Sequence, residues 1–168
     1  NDLTGVWQSC FWLLFLIVTV SLVWMHFAIR EMERGAVEAG VPVLGGNLPR
    51  DRMREVMGDA SRESLVDGSV RERLAVAVRD GHCGLLPATQ EPGMLRIQIA
   101  RDQAMADTVA GALQPGRRVL LLTGAQHAAR DRGVPLHLAL RHGAPRVHVV
   151  IFGDASIGLA ADELRRAR

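Results

Sequence analysis

The sequence predicts an α/β fold: a mostly parallel sheet flanked by helices, with a small helical subdomain, preceded by an apolar N-terminal helix. Three observations predict it. Short apolar runs bounded by Gly, Asn or Pro recur at "GVPVLGGN" (40–47), "RRVLLLTG" (117–124) and "VHVVIFGD" (147–154), as buried strands do. Stretches of helical periodicity separate them, and strands alternating with helices imply right-handed crossovers and a parallel sheet. Ahead of these, residues 10–29 are apolar at 17 of 20 positions, interrupted only by Thr19, Ser21 and His26.

That first run covers about 30 Å as a helix, the hydrocarbon thickness of a bilayer, so a membrane span over 10–29 is expected. Trp7, Trp12 and Trp24 sit near its ends and charge resumes at Arg30, as interfacial flanks should. A cleavable signal peptide fits poorly, because no basic segment precedes a run this long. Cys10 does not read as a lipoprotein cysteine, since the apolar run follows it. Arg30 and Arg34 follow the span and only Asp2 precedes it, which by charge bias puts the C-terminal bulk in the cytoplasm. A buried core helix, or a stretch foreign to the parent protein, is the alternative. The chain begins with Asn1, which suggests a processed product or a fragment. The division expected is a hydrophobic segment, 1–35, and an α/β domain, 36–168, incomplete on its N-terminal side.

Within that domain, the first strand (40–47) leads to a helix starting after Pro49, where proline suits the first turn. Residues 61–80 read as polar helical segments, with "SRES" (61–64) as an N-terminal cap. "GHCGLLPATQEPG" (81–93) is a loop. Met94, Ile97, Met105, Val109 and Leu113 then recur at helical spacing, giving an amphipathic helix over 94–113. "QPG" (114–116) stops it, and the strand 117–124 has the continuous apolar middle of a strand covered on both faces. Pro135 opens a short helix to about Arg141, the strand 147–154 follows, and "LAADELRRAR" closes as a helix. Ligands of open α/β sheets bind beyond the carboxyl ends of strands, which points to Asn47 and the loop 124–138.

Composition narrows the partners. With 168 residues, one domain is the default. A net charge of +2 does not favour a nucleic acid as partner. All 20 basic residues are Arg and there is no Tyr. Cys10 and Cys83 form no paired motif, so neither a zinc site nor a disulfide framework is signalled. No serine elbow, phosphate loop, dinucleotide fingerprint or zinc-protease helix motif occurs.

The candidate site residues come from two stretches. Gln98, Arg101, Asp102 and Met105 share one face of the long helix, where Arg101 offers a guanidinium to a carboxylate; a solvated face with local charge pairing is the plainer reading. In "GAQHAARDRGVPLHL" (124–138), His127 stands three residues after the glycine that ends a strand, followed by Arg130 and Asp131. It can ligate a metal, act as a base, or bond the loop backbone. His137, between Leu136 and Leu138, suits either a flat apolar ligand carrying a metal or ordinary packing. His82 reads as a surface-loop residue, His142 as a helix-end cap and His148 as structural.

Four segments in this order, "AGVPVLGGNLPR" (39–50), "GHCGLLP" (81–87), "QIARDQAMAD" (98–107) and "GAQHAARDRGVPLHL" (124–138), resemble the ChaN-like haem-binding uptake proteins of the Tiki/TraB/EreA-related superfamily. The resemblance covers roughly residues 36–152. It implies an α/β domain with a helical subdomain that dimerises around haem and serves bacterial iron acquisition. It also implies a tyrosine approaching the iron two residues after the G-V-P piece, where this sequence has His137. Imidazole is the commonest axial ligand of haem iron, so the exchange is chemically tolerable. The family's opening strand with a G-E-x-H type motif has no counterpart before residue 36, so the chain looks like the C-terminal portion of such a protein.

The first expectation is therefore a membrane-associated haem-binding protein of haem and iron uptake. Its metal ligand is His137, its pocket includes His127, Met105, Gln98 and Asp131, and Arg101 or Arg130 pairs with the propionates. The resemblance implies a domain outside the cytoplasm, in the bacterial cell envelope, against the orientation the two arginines suggest. A metal-dependent hydrolase of the Tiki or erythromycin-esterase type, using His127, is the alternative. A truncated, non-catalytic interaction module is the third.

Overall fold

The computed structural model describes residues 3–151. They divide into two compact units, Asn1–Leu44 and Gly45–Arg168.

The first unit is built on one helix, α1 (Leu3–Glu38, 36 residues), about 54 Å long at 1.5 Å per residue. Within it, Phe15–Glu38 has the length and composition to cross a membrane, with mean hydropathy 1.5 and none of it buried. This stretch overlaps the expected 10–29 and runs on through the charged turns that contain the Arg34–Glu31 ion pair. The hydroxyl of Thr19, a polar group in an apolar run, donates to the Phe15 carbonyl at 2.8 Å, which satisfies it inside the helix. Gly40 adopts φ +69° just past the end. There the Val41 and Gly40 amides donate back to the carbonyls of Ala36 and Val37, a Schellman closure that needs the left-handed residue.

The second unit is helical. Its elements are α2 (Met53–Gly58), α3 (Gly68–Gly81), α4 (Glu91–Ala112), α5 (Ala125–Ala128) and α6 (Val134–His142), with 3-10 turns at Arg50–Arg52 and Ala60–Leu65. Aspartates start the early elements: Asp59 accepts from the Ser61 amide and Asp67 from the Val70 amide, the bond an N-cap supplies. The cap expected from "SRES" thus comes from residues on either side of it. Proline lies in the first turn of both α4 and α6, and Gly143 closes α6 at φ +77°.

The core is organised around α4. Leu95 and Ile99 join Val66, Val70 and Leu74 in one apolar cluster, and Ile97 and Ala100 join Val56 in another. Met105 and Ala106 join Val134 and Leu138 in a third. The expected amphipathic helix is therefore covered around most of its circumference by α2, α3 and α6, and Asp102 and Gln103 are buried along with the apolar residues.

The expected parallel sheet is not observed, and the α/β class is corrected to a helical one: no strand forms among the described residues. The runs 40–47, 117–124 and 147–151 carry no regular secondary structure; residues 152–154 and the expected closing helix lie outside the described residues. The composition of a run favours an extended chain, but a strand exists only where a neighbour completes its hydrogen-bond ladder. No backbone hydrogen bond among the described residues joins 118–123 to 145–151. Exposure nevertheless alternates residue by residue along both, the period of an extended chain. Their inward residues Leu121 and Val147 pack on the third cluster.

Candidate functional site

The site is built where α4 meets α5. Asp102 is completely buried on α4, and His127 on α5 places its ring Nδ1 2.6 Å from the Asp102 Oδ1. With Asp102 ionised, a neutral imidazole donates its one proton from Nδ1 to the carboxylate, and the Nε2 lone pair is left free. The Gln98 amide nitrogen lies 2.9 Å from the same Nδ1 and 3.4 Å from the Asp102 Oδ2. Since a protonated Nδ1 cannot accept, Gln98 serves the second carboxylate oxygen. Burial raises the Asp102 pKa above the usual carboxylate range, and the bonds from His127 and Gln98 and the charge of Arg101 act against that rise.

Gly133 fixes the loop that carries His127. A Cβ at Gly133 would strike the carbonyl of His127, so only glycine allows the backbone at the start of α6 to cross so close behind the histidine.

The other expected site residues have different places. Met105, buried in the third cluster, receives the Thr123 hydroxyl on its sulfur at 3.5 Å. Arg101 reaches the Met53 sulfur at 3.8 Å, on the α2 side, and its Nε is buried without a hydrogen-bond partner. Arg130 donates to the Val147 carbonyl at 3.2 Å, and Asp131 pairs with Arg73 at 3.1 Å and Arg132 at 2.9 Å. These charges tie the loop to its neighbours. His142 bonds Asp107 at 2.7 Å beside Arg141, and His82 bonds the Val78 carbonyl at 2.7 Å.

His137 is 1% exposed between α4 and α6. Its Nε2 has no hydrogen-bond partner. Burial, reinforced by Arg141 and opposed by Asp107, pushes its pKa down from 6.5 to about 4. The ring keeps a lone pair, but packed side chains close it off.

A cavity of about 970 Å³ opens beside His127, walled by Val109, Leu113, Val134 and Leu138 from the helices and by the segments 117–123 and 145–151. His127 is the expected site residue that lines it; His148, Arg117, Arg118 and Arg146 line it too. Sequence reasoning missed these four. The available signal was the alternation Arg118, Leu120, Leu122 and Arg146, His148, Val150, one face of each segment, hidden within runs that read as wholly buried strands.

The family described as "Haem-binding uptake, Tiki superfamily, ChaN" matches residues 30–138, well over half of the sequence. The chain belongs to this family. Comparison with curated proteins and with solved structures returns no match. The family match takes in the Gln98, Asp102 and His127 arrangement and begins at residue 30, near the end of α1.

The residues present fit the group that the family name implies. A cavity of this size lies within the range of small-molecule sites, roughly 300 to 1,000 Å³. Its walls are mainly aliphatic, arginines supply cations for carboxylates, and His127 presents an imidazole nitrogen whose partner nitrogen is anchored on a buried carboxylate. Metal-ligating histidines are oriented in this way. With no tyrosine in the sequence, a tyrosinate ligand is not on offer from this chain, whereas imidazole suits haem iron.

Proposed function

We propose that the chain is a membrane-attached haem-binding module of haem and iron uptake, with the macrocycle in the cavity beside α5 and His127 as the ligand to iron. The observation that carries this is the His127–Asp102 pair at the wall of an apolar cavity: the buried carboxylate fixes the tautomer and leaves Nε2 available. Iron porphyrin, when bound, supplies a Lewis-acidic metal centre; the protein binds it, orients the imidazole and excludes water with leucine and valine side chains. The role that the resemblance gave to His137 passes to His127, because His137 has no opening to the cavity. Attachment to a membrane through α1 is supported by the exposed apolar surface of Phe15–Glu38.

Haemin titration of the full chain in detergent micelles tests this. A saturable Soret shift is expected, altered in position by His127→Ala and left in place by His137→Leu. Asp102→Asn should weaken haemin by about 10- to 100-fold, the usual effect of removing a ligand's orienting partner. No saturable shift with the unaltered chain overturns the proposal.

The same pair would orient a histidine for divalent metal, which favours the hydrolase reading as the second one. Among the described residues no three His, Cys, Asp or Glu side chains gather around one point, so that reading draws its other ligands from elsewhere. Metal content and ester or peptide hydrolysis of a metal-replete sample decide it.

A further inference from the structure

Resting on the haem reading, we infer that the cavity holds a porphyrin through its carboxylates and its apolar plane, with iron ligation secondary, so that iron-free porphyrins are ligands as well.

Two strips on the cavity wall carry the inference. Alternate residues of the segment after α4 present Arg118, Leu120 and Leu122, with the two leucines 82% and 64% exposed. Alternate residues of the segment after α6 present Arg146, His148 and Val150, with Val150 70% exposed. Each strip starts with a guanidinium and continues with side chains that can cover a flat ring. Among the described residues, neither Asp nor Glu lines the cavity, and Arg117, Arg118 and Arg146 make no ion pair. Arginines elsewhere in the unit, such as Arg73, Arg96 and Arg141, do have carboxylate partners. The described wall of the cavity therefore combines arginines that have no carboxylate partner there with exposed aliphatic surface.

That combination selects an amphipathic anion. A hydrophilic dianion gains nothing from the leucines, and a neutral apolar molecule leaves the guanidinium groups unused. A porphyrin with two carboxylates on one edge of a flat apolar ring uses both, and arginine is the residue suited to such carboxylates. Iron enters neither interaction.

The test is a fluorescence titration of the full chain in micelles with iron-free protoporphyrin IX and with its dimethyl ester, beside haemin. The acid should bind within about tenfold of haemin and the ester at least about tenfold more weakly, a difference of about 1.4 kcal/mol. Arg118→Gln combined with Arg146→Gln should weaken the acid by at least about tenfold and leave the ester unchanged, the signature of lost charge-assisted bonds.

An ester that binds as tightly as the acid, or arginine variants without effect, overturn the inference. So does oleate displacing protoporphyrin at equal concentration, which would make this an acyl carboxylate site. Haemin binding without protoporphyrin binding overturns the inference and leaves the haem reading standing. Protoporphyrin binding without haemin binding does the reverse, and binding of neither overturns both.

Discussion

Within the unit Gly45–Arg168, the region up to Ala112 and the region beyond it treat their groups in opposite ways. Up to Ala112, α2, α3 and α4 bond their backbones internally, Asp59 and Asp67 cap the Ala60–Leu65 turn and α3, and Val56, Leu74 and Ile99 are buried almost completely. Beyond Ala112, a pair of helices sits between segments with no ladder, and Leu120, Leu122 and Val150 face outward. The earlier region commits its apolar residues to stability. The later one leaves them exposed, beside Arg118 and Arg146, which make no ion pair among the described residues.

Leu74→Ala and Leu120→Ala, the same change in the two regions, sharpen this comparison at its extremes. Leu74 is 1% exposed in the first cluster, and its truncation should cost about 4 kcal/mol in urea unfolding. Gly133→Ala tests the junction between α5 and α6. The new Cβ meets the His127 carbonyl, so a loss of about 3 kcal/mol is expected, together with weaker haemin binding.

Acid comes next. The folded His137 pKa of about 4 lies below its ordinary 6.5, so between these values the unfolded chain binds the extra proton and stability falls as pH falls. From pH 7 to pH 5 the loss should be about 2 kcal/mol, and His137→Leu should flatten that slope when urea unfolding is followed against pH. The smallest effect belongs to Leu120→Ala, within about 0.5 kcal/mol for the ligand-free chain, while protoporphyrin affinity drops. A Leu120→Ala cost equal to that of Leu74→Ala would break the contrast.

Much of the helical architecture was legible in the sequence. The spacing from Met94 to Leu113 located α4, and Pro135 located α6, because periodicity and proline act locally. His127, singled out from its place after Gly124, lines the cavity. The sheet was misread because "RRVLLLTG" and "VHVVIFGD" encode an extended backbone but not the neighbour that would pair with it. Arg130 and Asp131 drew attention as charges near a strand end and Arg101 as one on a face of the long helix, yet charge in a sequence does not reveal whether a partner has already neutralised it, as Arg73 does Asp131. Arg118 and Arg146, which have none among the described residues, were hidden in runs judged by hydrophobicity alone.

Three apolar clusters lean on α4, so it cannot open locally without disturbing all of them. Its amide protons should therefore exchange with solvent only when the whole unit unfolds. Asp102 belongs to that slowest-exchanging helix, and the imidazole it grips is held for as long as the unit survives. The segments facing it have no ladder to protect them and should exchange within the dead time of the measurement. On the proposed haem reading, a nitrogen held this firmly beside walls without a ladder would accept macrocycles of differing edge.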